Sequence, residues 1–276
     1  YKRADAYALR PTLQSKDKIM RKDTKLAFAQ TDARMSAAAE CLGRLGWEIT
    51  ELTEDGAAVI LPMPYTRDGV TVGNTGVPIN RLFEKTGGRR PVLGGMLDKK
   101  AYCAALENGV RLFDYFSPEW VKTENAALTA RAATELDCVI KKLAEKPNVL
   151  ICGFGRIGKF LTALLPDAAV SARSENDLAW IRSLGHEGMR TDAIDTERFS
   201  LIFNTIPSRH LEGEKLEKIP RGAVIVDLAS APYGTDHEAC GRLGINAITA
   251  PSLPARAYPE KSGETGLNIL RCFAEI

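Results

Sequence analysis

The 276-residue sequence has few of the residues that carry metal, disulfide or membrane chemistry. Its three histidines do not stand at metal-ligand spacing, so we expect no metal centre and place all three at the surface. The six cysteines are scattered without a C-x-x-C pair, which excludes a zinc ribbon and indicates no disulfide framework. No apolar run approaches the length of a membrane span. With no apolar leader visible, we expect a cytoplasmic, reducing location.

The charge pattern excludes several further classes. The formal net charge is only +2, and no basic stripe is interleaved with aromatic residues, so no nucleic-acid partner is implied. The chain also lacks the lysine-containing phosphate loop of an ATPase and any Ser/His/Asp arrangement. Its length suffices for two domains with a sizeable core.

What the sequence does contain is a glycine-rich turn at a strand–helix junction. Val149–Cys152 is a short apolar run typical of a strand buried on both faces, and G-x-G-x-x-G spacing follows it at Gly153, Gly155 and Gly158. These glycines would allow a sharp turn, close approach of a diphosphate and tight helix packing. The alternative is a glycine-rich turn without a ligand. The predicted cofactor-binding residues of this loop are Gly153, Phe154, Gly155, Arg156, Ile157 and Gly158.

The end of the next predicted strand, Ala168–Ala172, bears on the choice of coenzyme. An acidic residue is expected there when ribose hydroxyls are bound, but Ala172 is followed by Arg173 and Ser174. A guanidinium can bind a 2′-phosphate that a carboxylate would repel. We therefore predict NADP(H) in preference to NAD(H). Ser174 also fits a helix cap, and the two roles are compatible.

Strand and helix patterns alternate along most of the chain, which predicts an α/β protein with two mostly parallel sheets flanked by helices. We expect the C-terminal domain to have a Rossmann dinucleotide-binding fold, and a cleft to lie between the domains. The predicted segments are an N-terminal extension (1–24), an N-terminal α/β substrate domain (25–120), a connecting helix (121–146), the Rossmann domain (147–255) and a C-terminal helix returning to the N-terminal domain (256–276).

Loops that leave the carboxyl ends of parallel strands are where ligands bind in such folds. Asp32 could act there or only cap a helix, and Asp68 could be an acid or only part of a turn. Arg34 and Arg67 could bind a ligand or be solvated charges. On the nicotinamide side we expect Asn204, Thr205, Ile206, Pro207, Leu228 and Ala229, and near the substrate Pro64, Asn125 and Ser230.

From about residue 25 onward the sequence resembles the family of dipicolinate synthase A-subunits. The glycine motif is common to many dehydrogenases, whereas Asn204–Pro207 (Asn-Thr-Ile-Pro) and Asp227–Ser230 (Asp-Leu-Ala-Ser), in this order, are far more specific. Further matching stretches are Thr31–Arg34, Leu61–Pro64, Arg67–Gly69, Gly234–Asp236 and Ala250–Pro254.

The resemblance implies nicotinamide-dependent oxidation of a dihydrodipicolinate-pathway intermediate to dipicolinic acid (pyridine-2,6-dicarboxylate) in sporulation. It also implies a flavoprotein partner, the B-subunit of dipicolinate synthase. A dicarboxylate substrate calls for cationic donors, for which Arg34 and Arg67 are the candidates. Asp32 or Asp68 would be the base that takes the proton accompanying hydride loss.

Two other interpretations of the sequence stay open. One is another two-domain dehydrogenase of the 2-hydroxy-acid or shikimate type, although Ala229–Ser230 stands where the former needs an arginine and no histidine lies in a predicted cleft loop. The other is a nucleotide-binding regulatory protein without turnover. The sequence leaves the oligomeric state open, a homo-oligomer included.

Overall fold

The computed structural model describes residues 25–53, 55–262 and 265–274, which divide into two compact units. The first unit takes in the described residues up to Ser117 together with the last helix of the chain, and the second runs from Pro118 to Ser262. The predicted extension, residues 1–24, lies outside the described residues.

The first unit is built on a five-stranded parallel sheet in the order β2-β1-β3-β4-β5. The strands are β1 (Lys25–Phe28), β2 (Glu48–Glu51), β3 (Ala58–Ile60), β4 (Val92–Gly94) and β5 (Leu112–Asp114). Its helices are α1 (Ala33–Arg44), α2 (Ile79–Thr86), α3 (Lys99–Glu107) and the last helix, α12 (Thr265–Ala274).

Both faces of this sheet are buried, because successive side chains of a strand point to opposite sides. Leu26 and Phe28 pack into one core together with Met35 of α1. Ala27 and Val59 belong to the other core, which includes residues of α2 and α3. The central strands β3 and β4 are therefore continuously apolar and buried, as expected where a parallel sheet is covered on both sides, whereas the edge strand β2 is polar and only partly buried.

The second unit has a six-stranded parallel sheet in the order β11-β10-β9-β6-β7-β8. The strands are β6 (Val149–Cys152), β7 (Ala169–Ala172), β8 (Gly188–Arg190), β9 (Leu201–Asn204), β10 (Val224–Asp227) and β11 (Asn246–Thr249). The helices are α4 (Glu119–Thr134), α5 (Asp137–Ala144), α6 (Arg156–Leu164), α7 (Glu175–Ser183), α8 (Glu214–Glu217), α9 (His237–Leu243), α10 (Leu253–Ala257) and α11 (Pro259–Ser262).

The strand order reverses between β6 and β9, and ligands of open parallel sheets bind outside the carboxyl ends of the strands at such a point. Val149 and Ile151 of β6 face one core, while Leu150 and Cys152 face the other. The two parallel sheets with flanking helices confirm the predicted fold class, and the strand order of the second sheet is that of a Rossmann fold.

The segment predicted as one connecting helix over residues 121–146 is two helices. Helix α4 ends at Thr134, and α5 begins at Asp137 after Leu136, whose backbone is extended with ψ of 134°. The sequence contains no helix breaker at this point. The bend follows from packing, because Leu136 and the fully buried Val139 both contact the core of the second unit.

The C-terminal segment 256–276, predicted to carry a helix that returns to the N-terminal domain, begins with short helical turns before that helix. It contains the end of α10, then α11 and α12. Pro259 begins α11 because proline lacks the N–H that would continue α10. Helix α12 packs on α1, where a Cβ on Gly266 would lie 3.0 Å from the carbonyl oxygen of Ala38, and Ile269 and Leu270 are buried in the core of the first unit.

Candidate functional site

The glycine loop has the geometry that diphosphate binding requires. Gly153 has φ of +98°, and a Cβ on it would lie 2.6 Å from the hydroxyl oxygen of Thr205. A Cβ on Gly158 would collide with the carbonyl oxygen of Gly153, so α6 and β6 pack too closely for any side chain there. A Cβ on Gly155, in contrast, meets no described atom within 4 Å. Of the three glycines, only Gly155 therefore leaves space for a ligand beside it.

Helix α6 begins directly after Gly155, which has no side chain to cap it. The N–H groups of its first turn therefore have no partner within the helix, and the helix dipole is positive at this end. Diphosphates bind at such helix starts. Phe154 is buried in the adjoining core and Ile157 packs against it, so these two predicted residues shape the loop from beneath.

Arg156 is held by an acidic partner at the start of α4. Its Nε and Nη2 donate to the two carboxylate oxygens of Glu119, at 2.5 and 2.7 Å. These hydrogen bonds lower the pKa of the exposed Glu119 carboxyl. The pair fixes the direction of the guanidinium beside the glycine loop and ties α6 to α4.

At the end of β7, both predicted roles of the Ala172–Ser174 segment can be located. Ser174 caps α7: its hydroxyl accepts from the backbone N–H of Asp177 at 3.1 Å and donates to the Asp177 carboxylate at 2.7 Å. Arg173 is exposed, and it forms no hydrogen bond or ion pair with another described residue. Its guanidinium is thus available to a ligand at this edge of the sheet.

The loops after β9 and β10 are held together by Asp227, a buried carboxylate with 1% of its surface exposed. Its Oδ1 accepts from the Asn204 side-chain amide at 2.8 Å and from the N–H of Ala229 at 3.1 Å. Its Oδ2 accepts from the N–H groups of Gly234 and Thr235, at 3.1 and 3.0 Å. One side chain therefore sets the positions of both predicted nicotinamide-side loops.

The loop after β9 is fixed by two further bonds. The Asn204 side-chain oxygen accepts from the N–H of Ile206 at 3.0 Å, and the Thr205 hydroxyl donates to the Cys152 carbonyl at 2.9 Å. Thr205 thereby links this loop to the strand that precedes the glycine motif. Pro207 and Ser230 are exposed, whereas Leu228 is buried and Ala229 is half-buried.

All three histidines are half-buried, so none of them is a fully exposed surface residue. The Nε2 atom of His237 lies 3.6 Å from Oδ2 of Asp227 and is buried without a hydrogen-bond partner in the described structure. His210 also has a buried Nε2 without such a partner, and burial lowers its pKa. The spacing of residues in the sequence could not predict the contact between His237 and Asp227, because it forms only when the loop after β10 folds back over Asp227.

In the first unit the structure brings Asp32 and Arg34 together after β1. Asp32 caps α1 by accepting from the N–H of Met35 at 3.0 Å, and its second oxygen lies 3.3 Å from Nη2 of Arg34. Arg34 is 5% exposed and donates to the carbonyl oxygen of Met63, next to the half-buried Pro64. Its buried Nε lacks a partner among the described residues. Arg34 is therefore not a solvated surface charge.

Arg67 and Asp68 lie on an exposed loop. The Asp68 carboxylate accepts from the N–H groups of Val70 and Thr71, both at 2.8 Å, and from the hydroxyls of Thr66 and Thr71. These hydrogen bonds, first that from Thr71, hold the pKa of Asp68 far below its usual range. Arg67 has no hydrogen-bond or ion-pair partner among the described residues.

A cavity of about 210 Å³ lies beside the same loop, in the first unit. Its lining includes Tyr65, Val70, Asn80 and Lys100, so the ammonium of Lys100 and the amide of Asn80 border it together with apolar side chains. The Tyr65 hydroxyl donates to Asp98 at 2.9 Å, and burial together with this bond raises its pKa to about 12. Sequence analysis missed Lys100 and Asn80 as candidate ligand-binding residues.

Asn125 lies in the middle of α4 in the second unit and is half-buried. Its backbone carbonyl accepts from the Thr129 hydroxyl at 2.7 Å. Within the described part of the chain, no three His, Cys, Asp or Glu side chains are arranged to hold a metal ion, and no described helix is long and apolar enough to cross a membrane.

The chain has an α/β architecture with a Rossmann-type second sheet, an architecture that solved two-domain dehydrogenases share. A solved 2-hydroxyacid dehydrogenase from Ketogulonicigenium vulgare Y25 superposes with a TM-score of 0.57 at 14% identity, covering 93% of this chain and 96% of the other. At that identity the likeness concerns the fold alone.

The chain is also similar to A-subunits of dipicolinate synthase, in sequence over about half of its length and in fold over most of it. The protein of that name from Bacillus subtilis (strain 168) is 35% identical over 136 residues, which are 47% of this chain. The match spans about half the length of that relative (46%). The crystal structure of the dipicolinate synthase A-subunit from Bacillus halodurans superposes with a TM-score of 0.75 at 22% identity, covering 92% of this chain and 98% of the other. No protein-family model matches the chain. The resemblance predicted from the motifs is thus confirmed.

Proposed function

We propose that the chain is the nicotinamide-dependent A-subunit of a dipicolinate synthase. It would oxidise a dihydrodipicolinate-pathway intermediate to pyridine-2,6-dicarboxylate in sporulation, together with a flavoprotein B-subunit. The observation that carries the proposal is the 35% identity to a protein of this name, in a chain whose glycine loop fits a diphosphate.

The residues of the glycine loop fit a dinucleotide by a direct steric criterion. Side chains are excluded at Gly153 and Gly158 by neighbouring atoms, whereas the approach to Gly155 is open. The first turn of α6 would bind the diphosphate, and the loops at Asn204–Pro207 and Leu228–Ala229 would border the nicotinamide. When bound, the coenzyme supplies a hydride acceptor.

The coenzyme that fits best is NADP(H). The exposed Arg173 follows β7 directly, where enzymes that bind NAD(H) place a carboxylate for the ribose hydroxyls. An unpaired guanidinium can form bidentate bonds with a 2′-phosphate. Measured dissociation constants for the two coenzymes test this, and tighter binding of NAD(H) would contradict it.

The substrate is a planar diacid whose ring becomes aromatic on oxidation. One ring carbon gives up a hydride, and a proton leaves at the same time, so a base is needed. Of the two candidate bases, Asp68 has its oxygens occupied by four donors and a strongly lowered pKa, which makes it a weak proton acceptor. We therefore assign the base to Asp32 and the binding of substrate carboxylates to Arg34 and Arg67.

The deciding experiment supplies the aldol product of dihydrodipicolinate synthase together with NADP⁺. The expected result is reduced coenzyme and pyridine-2,6-dicarboxylate in equal amounts. The yield of both products is then measured again in the presence of the flavoprotein partner. A Gly155→Val variant, whose side chain would enter the open space beside the loop, serves as the negative control. Coenzyme binding without any diacid product would leave only a nucleotide-binding regulatory protein.

A second candidate is an enzyme of the 2-hydroxy-acid type, which needs a histidine paired with an acid. The pairing of His237 with Asp227 favours it, whereas the exposed Ser230 replaces the arginine that would bind the substrate carboxylate. Incubation with a panel of 2-oxo acids and reduced coenzyme separates the two enzymes. Turnover of a 2-oxo acid at a higher kcat/KM than the diacid would support this alternative.

A further inference from the structure

We infer that Arg190 is a specificity-determining residue. Together with Arg173 it completes a subsite for the 2′-phosphate, and it keeps the Glu175 carboxylate out of that subsite. The inference rests on the proposed binding of NADP(H) and adds a residue that lies 17 positions beyond Arg173 in the sequence.

The position of Arg190 follows from strand register. β8 pairs in parallel with β7, and the Cα of Arg190 is opposite that of Ala172, the residue before Arg173. Neighbouring strands lie about 4.8 Å apart, so the two arginines leave the same edge of the sheet on adjacent strands. This is the edge at which the ribose of the adenosine half binds in Rossmann folds.

The Arg190 guanidinium is hydrogen-bonded to Asp192 and ion-paired with Glu175, and its Nη1 is not hydrogen-bonded to the Glu175 carboxylate. Its Nε and Nη2 each donate to a carboxylate oxygen of Asp192 at 3.1 Å. Its Nη1 lies 3.6 Å from the Glu175 carboxylate, beyond hydrogen-bond distance. Asp192 thus fixes the plane of the guanidinium, and the N–H groups of Nη1 can donate to a phosphate.

The Glu175 carboxylate is the group that opposes binding of a 2′-phosphate at this edge of the sheet. Glu175 is the first residue of α7, two positions after Arg173, and its carboxylate would repel a 2′-phosphate bound at Arg173. It is 3.6 Å from Arg190 and 3.9 Å from Arg182. Arg190 therefore favours binding of the 2′-phosphate in two ways. It adds a hydrogen-bond donor for the phosphate, and it neutralises the Glu175 carboxylate.

Arg182 provides a matched control. It is an exposed arginine that also pairs with Glu175, but it lies in the last turn of α7, at the opposite end of the helix from the carboxyl edge of the sheet. Removing it weakens the neutralisation of Glu175 without removing a donor from the subsite.

The experiment titrates the whole chain with 2′,5′-ADP and with 5′-AMP, which differ in the 2′-phosphate. We expect Arg190→Met to weaken 2′,5′-ADP about tenfold, as for loss of one charge-assisted contact, and to leave 5′-AMP unchanged. Arg182→Met should change neither ligand by more than about twofold. Adding Glu175→Gln to Arg190→Met should recover part of the lost affinity for 2′,5′-ADP.

Three outcomes would overturn the inference. Equal loss of both ligands in Arg190→Met would indicate a structural role, and no loss of either would exclude Arg190 from the subsite. If the wild-type chain binds neither ligand, the proposed nucleotide site itself is wrong, and the inferred role of Arg190 is then wrong as well. Circular dichroism of each variant separates a folding defect from a binding defect.

Discussion

The imidazole Nε2 of His237 lies 3.6 Å from Oδ2 of Asp227, and both atoms are shielded from solvent. The carboxylate also receives four hydrogen bonds, three of them from backbone N–H groups. An ionised carboxyl group at this depth is stable only because its bonds are complete. Asp227 therefore acts as the structural centre of the two loops that we assign to the nicotinamide side.

Asp227→Asn tests this role by replacing one acceptor oxygen with an NH₂ group that cannot accept from the backbone. At least one buried N–H then loses its partner, and we expect a loss of about 3 kcal/mol in the free energy of unfolding. Urea denaturation measures the loss. Asp167→Asn, at an exposed turn, should stay within about 0.5 kcal/mol of wild type, and an equally small effect at Asp227 would contradict the assignment.

Gly155→Val separates ligand binding from folding at the glycine loop. Its Cβ meets no described atom within 4 Å and its φ is −76°, so the fold should tolerate the side chain. Dinucleotide affinity should fall by about a hundredfold or more, because the valine occupies the space that the diphosphate needs. Isothermal titration measures the affinity. Gly158→Val should instead lower the melting temperature, since its side chain would collide with the Gly153 backbone.

The pH dependence of stability should carry a contribution from His210. Burial lowers the pKa of this histidine in the folded state, below its unfolded value of about 6.5. The unfolded chain therefore binds more protons as the pH falls through 6.5, so this contribution to stability is complete above about 6.5 and declines on acidification.

Unfolding free energies measured between about pH 5 and 8 test this sign. The slope of stability against pH should be smaller in His210→Gln than in wild type. His186→Gln, which removes another half-buried histidine, controls for the loss of a ring. A steeper slope in His210→Gln would show that the histidine is charged in the folded state.

The two arginines proposed to bind the substrate, Arg34 and Arg67, should differ in what they contribute. Arg67→Met should raise KM for the diacid about tenfold without altering stability, because the side chain is exposed and lacks a protein partner among the described residues. Arg34→Met should raise KM and also destabilise the fold, since it removes bonds to Met63 and Asp32. Steady-state kinetics and thermal unfolding measure both effects, and Arg67→Lys should restore part of the affinity. Unchanged kinetics in an Arg34→Met/Arg67→Met double variant would exclude both residues from substrate binding.

The fold class could be predicted because buried parallel strands leave a strong signal. Val149–Cys152 and Val224–Val226 are continuous apolar runs typical of buried strands, and glycines follow the first of them in a recognisable pattern. β8 left no such signal. It is the short segment Gly188–Arg190 at the sheet edge, only partly buried, and its identity as a strand depends on pairing with β7.

The candidate site was less accessible to prediction, because its side chains converge from distant parts of the chain. The glycine loop is local and could be identified from spacing. The contact of His237 with Asp227 and the burial of Arg34 against Met63 depend on how loops fold back, which residue types alone do not specify. The break between α4 and α5 has the same origin, since packing at Leu136 and Val139 overrides a sequence that would permit one helix.

The return of the chain to the first unit through α12 has a consequence for synthesis. Met35, Ala38 and Leu42 of α1 share a core with Ile269 and Leu270, which the ribosome makes more than two hundred residues later. Until then this face of α1 has no permanent cover, whereas the whole of the second unit, Pro118–Ser262, has already been made. The nascent first unit would therefore expose an apolar surface to chaperones throughout the translation of the second unit, and that surface would be covered only once α12 has emerged.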